Sequence, residues 1–84
     1  MKQITILYFA QLGEQRGLTE ESVVTDAVNV SELYHSLQKQ HKLSLDFSHI
    51  RVARNEEFCA AESGIENGGT IAFMPPMPGI TVNV

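Results

Sequence analysis

A single cysteine, Cys59, stands among 84 residues. One thiol makes neither an internal disulfide nor a four-thiolate zinc site, which excludes a small secreted scaffold held by cross-links. Lysine and arginine are also few, six against ten aspartates and glutamates, for a formal charge of −4. Affinity for nucleic acid comes largely from neutralised phosphates, so nucleic acid is not an expected partner. No apolar run approaches the roughly 20 residues of a membrane span, and no basic-then-apolar segment opens the chain. No membrane association is therefore expected, and a cytoplasmic location is the default. Internal repeats and low-complexity tracts are absent too. What is present is ordinary for one globular domain, 43% hydrophobic and 19% charged residues. A chain of this size builds one small core, burying roughly 60–70% of its unfolded surface.

The opening run Lys2 to Ala10 is β-branched and aromatic and reads as a strand. Ile4, Ile6 and Tyr8 share one face; Thr5, Leu7 and Phe9 share the other. Apolar residues on both faces of its second half point to a central strand, or to one whose second face is reserved for a partner. Gln11 to Thr19 is polar, with Gly13 and Gly17 as turn residues, and is long for a hairpin connection, so a loop with some structure of its own is expected. Glu21 to Thr25 reads as a second strand. Asn29 is a good helix N-cap, with Glu32 three residues on for an approximate capping box. Val30, Leu33, Tyr34 and Leu37 then recur at helical spacing, and Lys39, His41 and Lys42 favour the C-terminal end of the helix dipole. Leu43, Leu45 and Phe47 alternate with polar residues in a connecting segment. Ile50 to Arg54 and Glu57 to Ala60 read as strands about an Asn55-Glu56 turn. Glu66-Asn67-Gly68-Gly69 is a strong turn signal before a last strand, Thr70 to Met74, which Pro75-Pro76 ends. One helix covering one face of a mixed sheet of about five strands is an α+β, β-grasp arrangement. A domain over residues 1–76 and a flexible tail over 77–84 are expected. The sheet face opposite the helix stays partly uncovered, and apolar residues there are candidates for a binding patch.

Local catalytic chemistry is hard to find. His35, His41 and His49 are too dispersed for a metal site, and the first two do not share a helix face as ligands at i, i+4 would, so no metal is expected. Cys59 has no nearby base or cation to activate it, with Glu56, Glu57 and Glu62 around it in sequence. Glu20-Glu21 and Glu56-Glu57 are neighbours on extended backbone, pointing to opposite faces, and read as solvated charges. Gly68-Gly69 leads into no helix and is not a phosphate loop. The tail Phe73-Met74-Pro75-Pro76-Met77-Pro78-Gly79 is stiff, extended and apolar. Prolines lower the entropy cost of threading such a segment into a partner's groove, and glycine passes where no side chain fits. The same composition also suits an extended C-terminus with no partner.

Ile6-Leu7-Tyr8-Phe9-Ala10-Gln11, the Asn29-to-Leu37 helix, Val52-Ala53-Arg54-Asn55, Asn67 through Pro76 and Gly79 occur together in one order and spacing. In this the chain resembles the small subunits of molybdopterin synthase, within the ubiquitin-like sulfur carriers. The resemblance implies a ubiquitin-like β-grasp fold and a carrier without an active site of its own. In that family an E1-like adenylating enzyme uses ATP to activate the C-terminal glycine carboxylate, and a sulfur donor converts the acyl-adenylate to a thiocarboxylate. The large synthase subunit then uses the sulfur to build the dithiolene of molybdopterin from cyclic pyranopterin monophosphate. The chain itself is expected to bind no cofactor. The resemblance carries the reactive terminus onto Gly79, partner contacts onto Phe9, Phe58 and Met74, and the threading segment onto Pro75, Pro76, Met77 and Pro78. From the residues alone, core packing is the favoured role for Phe9, Phe58 and Met74.

One departure stands at the end. The family finishes in Gly-Gly with a free carboxylate, whereas here Pro78-Gly79 is followed by Ile80 to Val84. Adenylation at Gly79 then requires a processing protease. The rival expectations are a ubiquitin-like interaction module without sulfur chemistry, and a sulfur carrier for another pathway.

Overall fold

A computed structural model describes residues 1–75, and Pro76, Met77, Pro78 and Gly79 lie outside the described residues. Five strands, β1 (Lys2–Tyr8), β2 (Glu20–Thr25), β3 (Arg51–Arg54), β4 (Glu57–Cys59) and β5 (Thr70–Met74), form one mixed sheet in the order β2-β1-β5-β3-β4. β1 and β5 run parallel, and every other neighbouring pair is antiparallel. The alternation along β1 becomes a division of labour: Ile4, Ile6 and Tyr8 are buried, while the residues between them are not. Ile71 and Phe73 of β5 and Val52 of β3 extend that buried face. The helix α2 (Val30–His41) packs its Val30, Leu33, Tyr34 and Leu37 stripe into the same core. Tyr34 and Phe73 meet edge-on, ring centres 5.2 Å apart. This is the β-grasp arrangement expected from the order of elements.

Asn29 caps α2 by accepting the Glu32 N–H at 2.8 Å. The Glu32 carboxylate reaches back to the Val28 N–H at 3.1 Å, one residue earlier than a capping box requires. After the helix, the Tyr34 hydroxyl donates to the Leu45 carbonyl at 2.7 Å, so the alternating segment folds back onto the helix. Burial, helped by the nearby Asp46 charge, pushes the Tyr34 hydroxyl up to about 12. Phe47–His49 forms one 3-10 turn rather than extended chain. Both turns read from sequence are present. Asn55 and Glu56 take φ values of 51° and 74°, as a two-residue I′ hairpin requires. Gly68 takes φ 84°, which a side chain would strain, and its N–H donates to the Gln3 carbonyl at 2.7 Å.

The segment after β1 departs most from the sequence reading. β1 ends at Tyr8, not Ala10, because Ala10 turns the chain at φ 53°. A short helix, α1 (Gln11–Arg16), follows, and it is the structure within the polar loop. Leu12 is fully buried. Gly13 lies so close to β1 that an added Cβ would stand 3.1 Å from the Tyr8 carbonyl oxygen.

Glu21 corrects a second expectation. Glu20 is exposed, but Glu21 points to the core face and binds Arg16 of α1 at 2.6 Å. It also accepts the Tyr8 hydroxyl. Burial alone would raise this carboxyl, but the hydrogen bonds from Arg16 and Tyr8 outweigh it and hold it below the ordinary carboxylate range. The stabilisation is therefore complete above that range and lost as pH falls through the lowered value. Glu21→Gln is expected to cost on the order of 2 kcal/mol at neutral pH, because it leaves Arg16 half-buried without its charge partner. Urea denaturation of the wild type and Glu21→Gln from pH 7 to pH 3 checks this. The variant should lose less stability on acidification, and parallel curves would show that the pair contributes nothing.

Among the described residues no helix is long and apolar enough to cross a membrane. Nor, among them, do three or more His, Cys, Asp or Glu side chains gather as metal ligands.

Candidate partner-binding face

The helices occupy one side of the sheet, and register determines what the other side presents. Leu7 stands opposite Ala72, Ala72 opposite Ala53, and Ala53 opposite Phe58. Directly paired residues share a face, so these four form one apolar row across β1, β5, β3 and β4. Met74 and Arg51 form the next row, paired across β5 and β3. Phe9 lies just past the end of β1, where its N–H still donates to the Phe73 carbonyl at 3.2 Å. An open groove of about 410 Å³ results, lined by Leu7, Phe9, Ala53, Ala72 and Met74, with Asn55, Glu56 and Thr70 on its rim.

The three partner contacts carried over from the resemblance all stand on this face. Phe9 is 46% exposed and Phe58 64%, so neither is core, and Met74 is half-buried in the groove. Phe9 and Met74 line the same groove, whereas Phe58 stands at the β4 end of the apolar row. Pro75, directly after Met74, is buried.

Several features of the face were not singled out from sequence. Leu7, Ala53 and Ala72 form its floor, and of these only the parity of Leu7 with Phe9 and of Ala72 with Met74 was legible. Arg51 was read only as part of a strand. Its guanidinium lies over the Phe58 ring, 4.5 Å from the ring centre. Glu56, read as a solvated turn charge, stands on the groove's rim in the left-handed region.

The cysteine, the histidines and the Tyr8–Glu21–Arg16 cluster all lie off this face. Cys59 points to the other side of β4 from Phe58 and is half-buried against the core. His35, His41 and His49 belong to α2 and the 3-10 turn, away from the groove. His35 rests beside Phe47, ring centres 5.8 Å apart. The Tyr8–Glu21–Arg16 cluster is on the core side, where burial and the Glu21 carboxylate push the Tyr8 hydroxyl well above the usual phenol range.

Similarity to known proteins agrees with this geometry. The sequence matches the ThiS family over residues 6–79. It is 31% identical over 83 residues to the molybdopterin synthase sulfur carrier subunit of Anopheles gambiae, covering 92% of this chain and 91% of that protein. The corresponding subunit of Haemophilus influenzae is 33% identical over 79 residues, covering 90% and 98%. Among solved structures, small archaeal modifier protein 1 of Haloferax volcanii superposes with a TM-score of 0.76 at 25% identity, over 92% of this chain and 100% of that one. A chain from the complex of subunits 1 and 2 of molybdopterin-converting factor from Helicobacter pylori has the same fold, with a TM-score of 0.66 at 19% identity over 92% and 97%. Family match, near full-length similarity and shared fold agree: the chain belongs to the ThiS family.

Proposed function

We propose that the chain is the sulfur carrier subunit of a molybdopterin synthase, acting in the cytoplasm. The observation that carries the reading is the uncovered apolar face of Phe9, Phe58 and Met74, with β5 running from it directly into the Pro75-to-Gly79 segment. Both named relatives are molybdopterin synthase sulfur carrier subunits, and a structural neighbour comes from a complex of the two subunits of molybdopterin-converting factor. On this reading the large subunit covers the open face, and the tail enters the large subunit's active site. Tethering raises the local concentration of the reactive sulfur, and the catalytic acid–base groups belong to the large subunit.

The sulfur is carried as a thiocarboxylate on Gly79. A protease first removes Ile80 to Val84, freeing the Gly79 carboxylate. An E1-like enzyme joins that carboxylate to the AMP portion of ATP with loss of pyrophosphate, and a sulfur donor then displaces AMP. Intact mass of the protein isolated from its native host tests this. The expected species ends at Gly79, with a fraction heavier by the difference between sulfur and oxygen. A full-length mass that persists with the activating enzyme, ATP and a sulfur donor present would remove the chemistry. Proline at position 78, where the family has glycine, favours in that event an interaction module of the same fold.

A further inference from the structure

We propose that Arg51 reads charge on the partner, and that the surface covering this face places a carboxylate beside Phe58. The inference rests on the reading that the face docks the large subunit. Arg51 is exposed and stands opposite Met74 in the β3–β5 pairing. Strand parity puts it on the open face with Ala53, and among the described residues it is the one cation there. Lys2 and Arg54 alternate to the other side, where Lys2 reaches the Ala27 carbonyl and Arg54 the Gly64 carbonyl. Arg16 is held by Glu21. No carboxylate among the described residues stands within ion-pair distance of Arg51.

The Arg51 guanidinium lies against the Phe58 ring, a contact that engages the charge through the ring and leaves the N–H donors without a carboxylate among the described residues. In the free protein water satisfies them. A partner that covers Phe58 and Met74 must strip that water, and an unpaired buried guanidinium would cost more than the apolar contact returns. The complementary group is a carboxylate, which accepts two parallel N–H bonds from such a fork. The ring has already restricted the side chain, so little further ordering is needed on binding. The chain is acidic overall, which makes this isolated cation a stronger mark of orientation on the face.

The test is titration calorimetry of the full chain with the large subunit of the same organism, over a series of salt concentrations. Arg51→Met keeps an apolar stem against Phe58 and removes the charge, and Arg51→Lys keeps charge without the planar fork. Arg51→Met is expected to weaken binding at least about tenfold and to flatten its salt dependence, with Arg51→Lys no tighter than wild type. Circular dichroism and thermal melting confirm that each variant is folded, as an exposed strand position allows. Wild-type affinity and salt dependence in Arg51→Met would overturn the inference. If Met74→Arg still loses binding in that case, the docking face stands and only the charge-reading role falls. Failure of the wild-type chain to bind the large subunit overturns the functional reading, and this inference with it.

Discussion

Met74→Arg should abolish association with the large subunit while leaving the fold intact. Met74 is half-buried in the groove it shares with Phe9, so its side chain contributes to the open face and not to the core. A guanidinium at this position would be carried into an apolar contact without a partner, and would sit across the β3–β5 pairing from Arg51. Two cations in adjacent cross-strand positions repel, and one carboxylate on the partner cannot satisfy both. The expected loss is at least about a hundredfold in affinity, or roughly 3 kcal/mol. Thermal melting should change little, by the equivalent of about 1 kcal/mol or less, as for most substitutions on an exposed face. Retained binding at native affinity would place the docking surface elsewhere on the molecule.

The neighbouring residue should behave in the opposite way. Phe73→Ala is expected to cost about 3–5 kcal/mol, the range for removing a fully buried aromatic side chain. Phe73 has no exposed surface, stands opposite Tyr8 and Val52 in its two pairings, and meets Tyr34 of α2 edge-on. It thus joins three strands and the helix at the centre of the core. A domain of this size has a total stability nearer the lower end of the usual 5–15 kcal/mol, so the loss is a large part of the whole. The melting temperature should fall by roughly 15–30 °C. A change equivalent to less than about 1 kcal/mol in urea denaturation would mean that the core is not centred on this ring. The two predictions together separate binding from folding along one strand, where residues one position apart serve opposite faces.

Helix α2 was legible from sequence because twelve residues allow the apolar stripe to recur, and because Asn29 marks its start with a specific hydrogen bond. The two turns were legible because Asn55 and Gly68 are residue types that tolerate the positive φ they take there, although Glu56 beside Asn55 takes one too. Helix α1 was not. Its six residues include Gly13 and bury Leu12 as their single large apolar side chain, too little for a periodic signal. The Arg16–Glu21 pair was missed for the same reason, since it exists only when α1 folds back beside β2. Glu21 therefore looked like a solvated charge.

Composition and local pattern by themselves determined the class of fold and the order of its main elements. Those properties depend on periodicity, turn chemistry and which residue types are present, all of which are local. Phe9 and Met74 had better local grounds for being core than for lying on a surface, and Arg51 was one more polar residue at the start of a strand. Only tertiary structure decided where they stand. α2 covers one side of the sheet, strand pairing sets Leu7, Ala72, Ala53 and Phe58 in a row on the other, and antiparallel register brings Arg51 opposite Met74. Register is a relation between segments distant in sequence, and a shift of one residue would send the same side chains to the opposite face.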